Sequence, residues 1–176
     1  GSPGPFRGYK TQLFEGGIRS SLVVWAPTLM NEDALGTVNQ DSIFTAIDLV
    51  PSLLEICQAS PAPNTTFDGE PLPDILLGES NSSRKKPIFF RRPPDRNRFY
   101  GVNDLPDLAI RNGRWKLLCE YDGSAPLLYD LSIDLKESKN LAKKRPDILK
   151  ELTKAVVAWH NAMPTDNGPA LEYGSD

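Results

Sequence analysis

The sequence predicts an α/β fold, in the form of an α+β fragment, on three observations. A continuous apolar run, Leu22-Val23-Val24-Trp25-Ala26, follows the Gly16-Gly17 doublet and stops at Pro27. Such a run, apolar on both faces and ended by proline, reads as a loop feeding a buried central strand. Asn112-Gly113 stands between two short apolar runs, the strongest short hairpin signal, and predicts antiparallel pairing. After Pro146, the residues Ile148, Leu149, Leu152, Ala155, Val156, Trp159 and Met163 recur at helical spacing. They predict a helix laid over one face of that sheet.

Taken in order, the chain opens on Gly1-Ser2-Pro3-Gly4-Pro5, which cannot start a regular element. A helix is expected over Asp48–Cys57, with Asp48 as its cap and Pro51 in the first turn, where its missing N–H has no helical partner anyway. Val50, Leu53, Leu54 and Cys57 would form its buried stripe. Ser60-Pro61-Ala62-Pro63 ends it, and the stretch to Ser83 is loop broken by a short apolar turn at Ile75-Leu76-Leu77. A boundary is placed there, giving domains 1–83 and 84–176. Strands are then expected at Pro87–Arg91, Leu108–Arg111, Arg114–Leu118 and Leu127–Leu131. A two-residue turn at Asn112-Gly113 pairs Arg111 with Arg114, Ile110 with Trp115 and Leu108 with Leu117, which gathers the apolar pairs on one face. The small domain is therefore a four-stranded antiparallel sheet with a packed C-terminal helix.

Composition narrows the function classes. The 176 residues include 16 prolines and 13 glycines, so loops are plentiful, and net charge is −3. That balance carries no nucleic-acid or membrane signature, and no apolar run reaches the roughly 18 residues of a membrane span. One local exception is the stretch Arg84–Arg98, with seven basic residues and one acid, which includes Arg91, Arg92, Arg96 and Arg98. An anionic substrate would be drawn to it. Cys57 and Cys119 match no metal or redox spacing and are expected as buried thiols, and with a single histidine, His160, an ordinary zinc site is excluded. No nucleophile–base pair can be assembled. Asp134-x-x-Glu137 reads as a turn device rather than paired acid and base.

Five ordered motifs carry the reading further. Gly8-Tyr9-Lys10, four residues on, Glu15-Gly16-Gly17-Ile18-Arg19 resembles the second signature region of type I sulfatases, the arylsulfatase-like members of the alkaline phosphatase superfamily. Asp48-Leu49-Val50-Pro51-Ser52-Leu53-Leu54 is similar to that family's Asp-x-x-Pro-Thr-Leu-Leu helix, and Phe67-Asp68-Gly69-Glu70-Pro71-Leu72 to its Leu-Asp-Gly-x-Ser-Leu segment. Ala109-Ile110-Arg111-Asn112-Gly113-Arg114-Trp115-Lys116-Leu117 resembles its Ala-Val-Arg-x-Gly-x-Trp-Lys-Leu hairpin. Leu128-Tyr129-Asp130-Leu131, with Asp134, Glu137, Asn140 and Leu141 after it, resembles the family's next segment, Leu-Tyr-Asp-Leu-x-x-Asp-Pro-x-Glu-x-x-Asn-Leu.

The resemblance implies the C-terminal portion of a sulfatase: the end of an alkaline-phosphatase-like large domain, then its small domain. It implies hydrolysis of sulfate esters, with Ca²⁺ (or Mg²⁺) and formylglycine in the intact parent and no metal ligand in this chain. Lys10 matches the family's sulfate-contacting lysine, with Glu15 and Arg19 as structural partners of its loop. Arg91 and Arg92 are candidate substrate contacts. The Cys/Ser-x-Pro-x-Arg nucleophile motif and the acidic metal-ligand pairs are absent. The late Asp166-Asn167-Gly168-Pro169 reads as an Asx-type turn. The chain alone is expected to be inactive, its partners being a sulfate-ester substrate, such as a sulfated glycan, and the N-terminal part of the enzyme. An exported or lysosomal location is implied, with Asn64-Thr65-Thr66 and Asn81-Ser82-Ser83 as glycosylation sequons in a secretory host. A phosphonate or phosphate monoester hydrolase and a non-catalytic anion- or glycan-binding module are the alternatives.

Overall fold

The computed structural model describes residues 2–92 and 105–164. Arg96, Arg98 and the Asp166–Pro169 turn lie outside the described residues. The chain groups into two compact units, one built from residues 1–19 together with 89–176, the other from residues 20–88. The residues up to Arg19 are thus grouped with the sheet rather than with the rest of the 1–83 segment.

The first unit holds the expected sheet. Strands β1 (Ile88–Arg91), β2 (Leu108–Asn112), β3 (Trp115–Cys119) and β4 (Leu127–Asp130) form an antiparallel meander in the order β1-β2-β3-β4. The register differs from the sequence expectation. Asn112 pairs with Trp115, Arg111 with Lys116, Ile110 with Leu117 and Leu108 with Cys119. The two turn residues are therefore Gly113 and Arg114, not Asn112 and Gly113. Gly113, at φ +54, takes the first turn position, which is where a Gly-x hairpin turn needs its glycine. Arg114 is then free to pair with the Asp130 carboxylate of β4.

Both faces of this sheet are buried, which the alternation of apolar residues on both faces requires. On one face Leu108, Ile110, Leu117, Cys119 and Leu128 pack against Leu152 and Val156 of the helix Pro146–Ala162, with Phe89 stacked on Trp159 at 5.1 Å. On the other face Ala109, Leu118 and Tyr129 pack against Leu13 and Phe14. Lys116 shares that second face and is completely buried. A lysine there must find compensating charge, because an unpaired buried ammonium is untenable.

The second unit is organised differently. The helix α2 (Leu49–Ile56) forms as expected with Asp48 at its N-cap position, but the Asp48 side chain makes no cap hydrogen bond to it. Asp48 ends a short 3₁₀ turn, is wholly buried, and uses its carboxylate to accept the N–H groups of Thr45 (3.0 Å) and Glu70 (2.8 Å). Arg84 Nη1 bridges both its oxygens at 2.7 and 2.9 Å. Ser52 adds a hydroxyl bond to the Asp48 carbonyl and accepts from Leu72 N–H at 2.8 Å. Gly69 fits because a Cβ there would meet the Ile47 carbonyl carbon at 2.5 Å.

Two further expectations fail in this unit, for one reason. Residues 20–26 form no strand, and Val23 and Trp25 are 88% and 84% exposed. The expected buried stripe of α2 is open as well: Val50, Leu53 and Cys57 are exposed, whereas Pro51 and Ser52 are buried. A central strand needs neighbours on both edges and an amphipathic helix needs a cover for its stripe. No segment of the second unit supplies either.

Candidate functional site

The segment from Arg7 to Arg19 carries Lys10 and folds as one closed loop. Gln12 N–H donates to the Tyr9 carbonyl at 3.0 Å, so Tyr9-Lys10-Thr11-Gln12 is a tight turn with Lys10 exposed at its second position. Thr11, at the third position, has φ +84. That region normally belongs to glycine or asparagine, and a β-branched residue there stores roughly 1–3 kcal/mol. Strain of this kind persists only where the surroundings over-determine the backbone.

The Gly16-Gly17 doublet provides part of that constraint. Gly16 N–H closes the loop on the Arg7 carbonyl at 2.7 Å. A Cβ on Gly16 would meet the Gly8 and Arg7 carbonyl oxygens at 2.5 and 2.6 Å, and one on Gly17 would run into the carbonyls of Tyr9 and Gln12. The doublet is therefore the floor on which the Lys10 turn rests, and any side chain would lift the turn. The four-residue helix α1 (Glu15–Ile18) begins directly after Phe14.

Beneath the loop lies a buried charge cluster. Lys116 Nζ is 2.9 Å from Glu15 Oε1 and 2.8 Å from Glu137 Oε1, and all three side chains are at most 2% exposed. Arg111 and Arg19 stand at 3.8 Å from Glu15 Oε2, so the two carboxylates are balanced by one close cation and two more distant ones. Burial pushes the Glu137 carboxyl above the usual carboxylate range, with Lys116 opposing it, and lowers the Arg111 guanidinium. Arg7 stacks on the Phe14 ring at 4.0 Å and donates through Nη1 to the Tyr129 hydroxyl (2.9 Å) and the Glu137 carbonyl (3.0 Å). The Tyr129 hydroxyl is held above its usual range by burial, with the Arg7 charge working against that.

The sequence assigned Glu15 and Arg19 to the loop's structural support, and both touch the cluster. It missed Lys116 and Glu137. The available signal was Lys116 itself, a lone charge amid Trp115, Leu117 and Leu118 on a strand with two apolar faces. Both members of the Asp134–Glu137 pair act in the turn: the Asp134 carboxylate accepts from the Ser138 and Lys139 N–H groups at 2.9 and 2.8 Å, and the Glu137 N–H donates to the Asp134 carbonyl at 3.1 Å.

Arg91 ends β1 and Arg92 follows it. Arg91 is half-buried. Arg92 is directed inward at 6% exposure, donating through Nη2 to Asp107 Oδ1 and the Leu105 carbonyl, both at 2.8 Å. Its own carbonyl accepts from Tyr121 Oη at 2.6 Å. The guanidinium thus braces the strand end. Among the described residues no hydrogen bond or ion pair joins Lys10 to either arginine, and no group of three His, Cys, Asp or Glu side chains could hold a metal ion. No described helix is long and apolar enough to cross a membrane.

No family model matches the chain. Among curated proteins, Arylsulfatase A of Homo sapiens is 32% identical over 177 residues, covering 86% of this chain and 32% of the human protein. Arylsulfatase K of Mus musculus is 30% identical over 145 residues, covering 80% of this chain and 24% of the mouse protein. Among solved structures, Ps i-CgsB superposes with a TM-score of 0.50 at 22% identity, covering 64% of this chain and 23% of that one. The chain spans about a quarter to a third of the length of the curated relatives it matches.

Proposed function

The chain belongs to the sulfatases, corresponding to their C-terminal portion, and from this premise we propose that it contributes Lys10 as a sulfate-contacting residue to an enzyme that hydrolyses sulfate esters. The observation that carries the reading is the Lys10 turn: an exposed ammonium at the corner of a strained turn, floored by a glycine doublet. Backbone held in so unfavourable a state is characteristic of functional positions.

An ammonium on a flexible stem suits the role, because negative charge grows on the non-bridging and leaving oxygens as the S–O bond breaks. Ca²⁺ (or Mg²⁺) and formylglycine would be supplied by the remainder of the enzyme. In place there, formylglycine would supply the nucleophile and the ion would polarise the sulfate. The same remainder is our proposed cover for Val23, Trp25, Val50 and Leu53, whose exposure on one unit exceeds what scattered surface residues explain. In that assembly residues 1–83 would end the large domain and 84–176 form the small one. Arg91, braced by Arg92, is the proposed second contact for an anionic substrate such as a sulfated glycan. An exported or lysosomal location accords with this reading, and the chain alone would be inactive.

The test is Lys10→Ala in the full-length enzyme assayed with an aryl sulfate, with an aryl phosphate in parallel. One charge-assisted contact made in the transition state, about 1.5–3 kcal/mol, corresponds to a kcat loss of roughly 10- to 150-fold. An unchanged kcat would remove Lys10 from the reaction. Faster turnover of the phosphate would move the enzyme to the phosphate-ester branch.

A further inference from the structure

Glu137 lies 122 residues from Glu15 in the chain yet holds both ends of the Lys10 loop. Its carbonyl accepts from Arg7 Nη1 at 3.0 Å, where the loop begins, and its carboxylate Oε2 accepts the Glu15 N–H at 2.7 Å, where the loop closes. The other carboxylate oxygen faces Lys116 Nζ at 2.8 Å. Glu137 is wholly buried and sits at φ +52, a left-handed backbone that a glutamate adopts only under constraint. We propose that Glu137, with Lys116, is a positioning residue for Lys10: it fixes the loop so that the strained turn presents the ammonium in one place. The proposal rests on the reading of Lys10 given above.

The physical case is one of constraint. Relaxing Thr11 from φ +84 would release the strain stored in the turn, and the turn can do so only by moving Lys10. Opposing that release are the glycine floor and the two anchors on Glu137. The anchors differ in kind from the packing of Leu13 and Phe14, since apolar contacts tolerate sliding whereas a buried carboxylate with directed partners does not. Lys116 acts one step further out. Its Nζ, 2.8 Å from Oε1, offsets part of the cost of burying the Glu137 carboxyl and holds it in the orientation that turns Oε2 to the Glu15 N–H. A pure stability staple would make the same bonds, but its loss would not be coupled to Lys10.

The experiment is a double-mutant cycle in the full-length enzyme, with kcat and KM measured on an aryl sulfate for Lys10→Ala, Glu137→Gln and the double variant. A displacement of about 1 Å costs on the order of 100-fold, so Glu137→Gln is expected to lower kcat by about 10- to 100-fold and to change KM by less than about threefold. The double variant should be no more than about twofold slower than Lys10→Ala alone. If the two losses multiply, Glu137 does not act through Lys10 and the proposal is overturned. If Lys10→Ala leaves kcat unchanged, the reading of Lys10 fails instead.

Amide exchange then decides the positioning by itself. Glu137→Gln should speed exchange at the Gln12, Glu15 and Gly16 amides at least tenfold while the sheet amides of Ile110 and Leu118 hold. Unchanged exchange in the loop, or equal loss across the sheet, overturns the proposal. Should Glu137→Gln fail to fold, Tyr129→Phe removes only the phenolic acceptor of Arg7. It should give a smaller kcat loss with the same non-additivity, and an additive loss counts against the proposal.

Discussion

Replacing Arg84 by methionine tests what holds the second unit together. Arg84 and Asp48 have side-chain exposures of 2% and 0%, and one nitrogen, Nη1, meets both carboxylate oxygens at 2.7 and 2.9 Å. Methionine fills much of the same volume but leaves the carboxylate without its counter-charge. Removing one member of a buried pair costs about 3–5 kcal/mol. Asp48 keeps the Thr45 and Glu70 N–H groups, so the lower end, about 3 kcal/mol, is expected. The unit spans residues 20–88, and a segment of that size has roughly 3–10 kcal/mol of total stability. The loss is therefore a large share of everything that keeps it folded. Native-state amide exchange at Cys57 and Leu72, which donate to the Leu53 carbonyl and Ser52 Oγ, should accelerate by about 150-fold. Exchange in the sheet unit should change little. Arg84→Lys retains the charge and should lose less, and adding Asp48→Asn to Arg84→Met should recover part of the loss by removing the stranded charge. Acceleration below about fivefold, near 1 kcal/mol, would refute the argument that this pair, rather than apolar burial, organises the unit.

Two further outcomes concern groups in or near the sheet. The Asp130 carboxyl is held at about 2, chiefly by its hydrogen bond from Arg114 and then by Ser132. A lowered folded value gives stability that is present above the unfolded value, near 4, and is lost as pH falls toward about 2. Asp130→Asn should accordingly flatten the acid limb of the unfolding midpoint between those pH values, and an unaltered limb would show that the pair contributes nothing there. Burial, with Glu120, Asp122 and Asp107 nearby, pushes the Cys119 thiol up to about 12, so on the order of one molecule in 10⁴ carries the thiolate at pH 8. Alkylation of the native chain should label the exposed Cys57 and spare Cys119 until unfolding; equal labelling of both would contradict the burial.

Much of the small sheet was legible in the sequence because its signals are local. Strand lengths, the glycine of the turn, and the stripe from Ile148 to Trp159 depend on neighbours a few residues away. The register was not, since Asn112-Gly113 and Gly113-Arg114 are both acceptable turns. The choice is made by Arg114 reaching Asp130 on another strand. The second unit misled for a related reason. Apolar periodicity says that a face is to be covered, but not by what, and nothing in that unit covers Val23, Trp25, Val50 and Leu53. Asp48 takes the N-cap position that its helical sequence neighbours indicate, but its carboxylate is drawn to Glu70 and Arg84, which lie 22 and 36 residues downstream.

What the sequence determined by itself was the order of motifs, and with it the family, the sheet-plus-helix architecture and the place of Lys10 beside a glycine doublet. Those features are written in adjacent residues. Only the tertiary structure decided that Lys116, Glu15 and Glu137 meet beneath that turn, that Arg92 faces inward, and that Glu137 grips both ends of the loop. A buried charge must find its counter-charge wherever the fold brings one, and distance along the chain carries no record of that meeting.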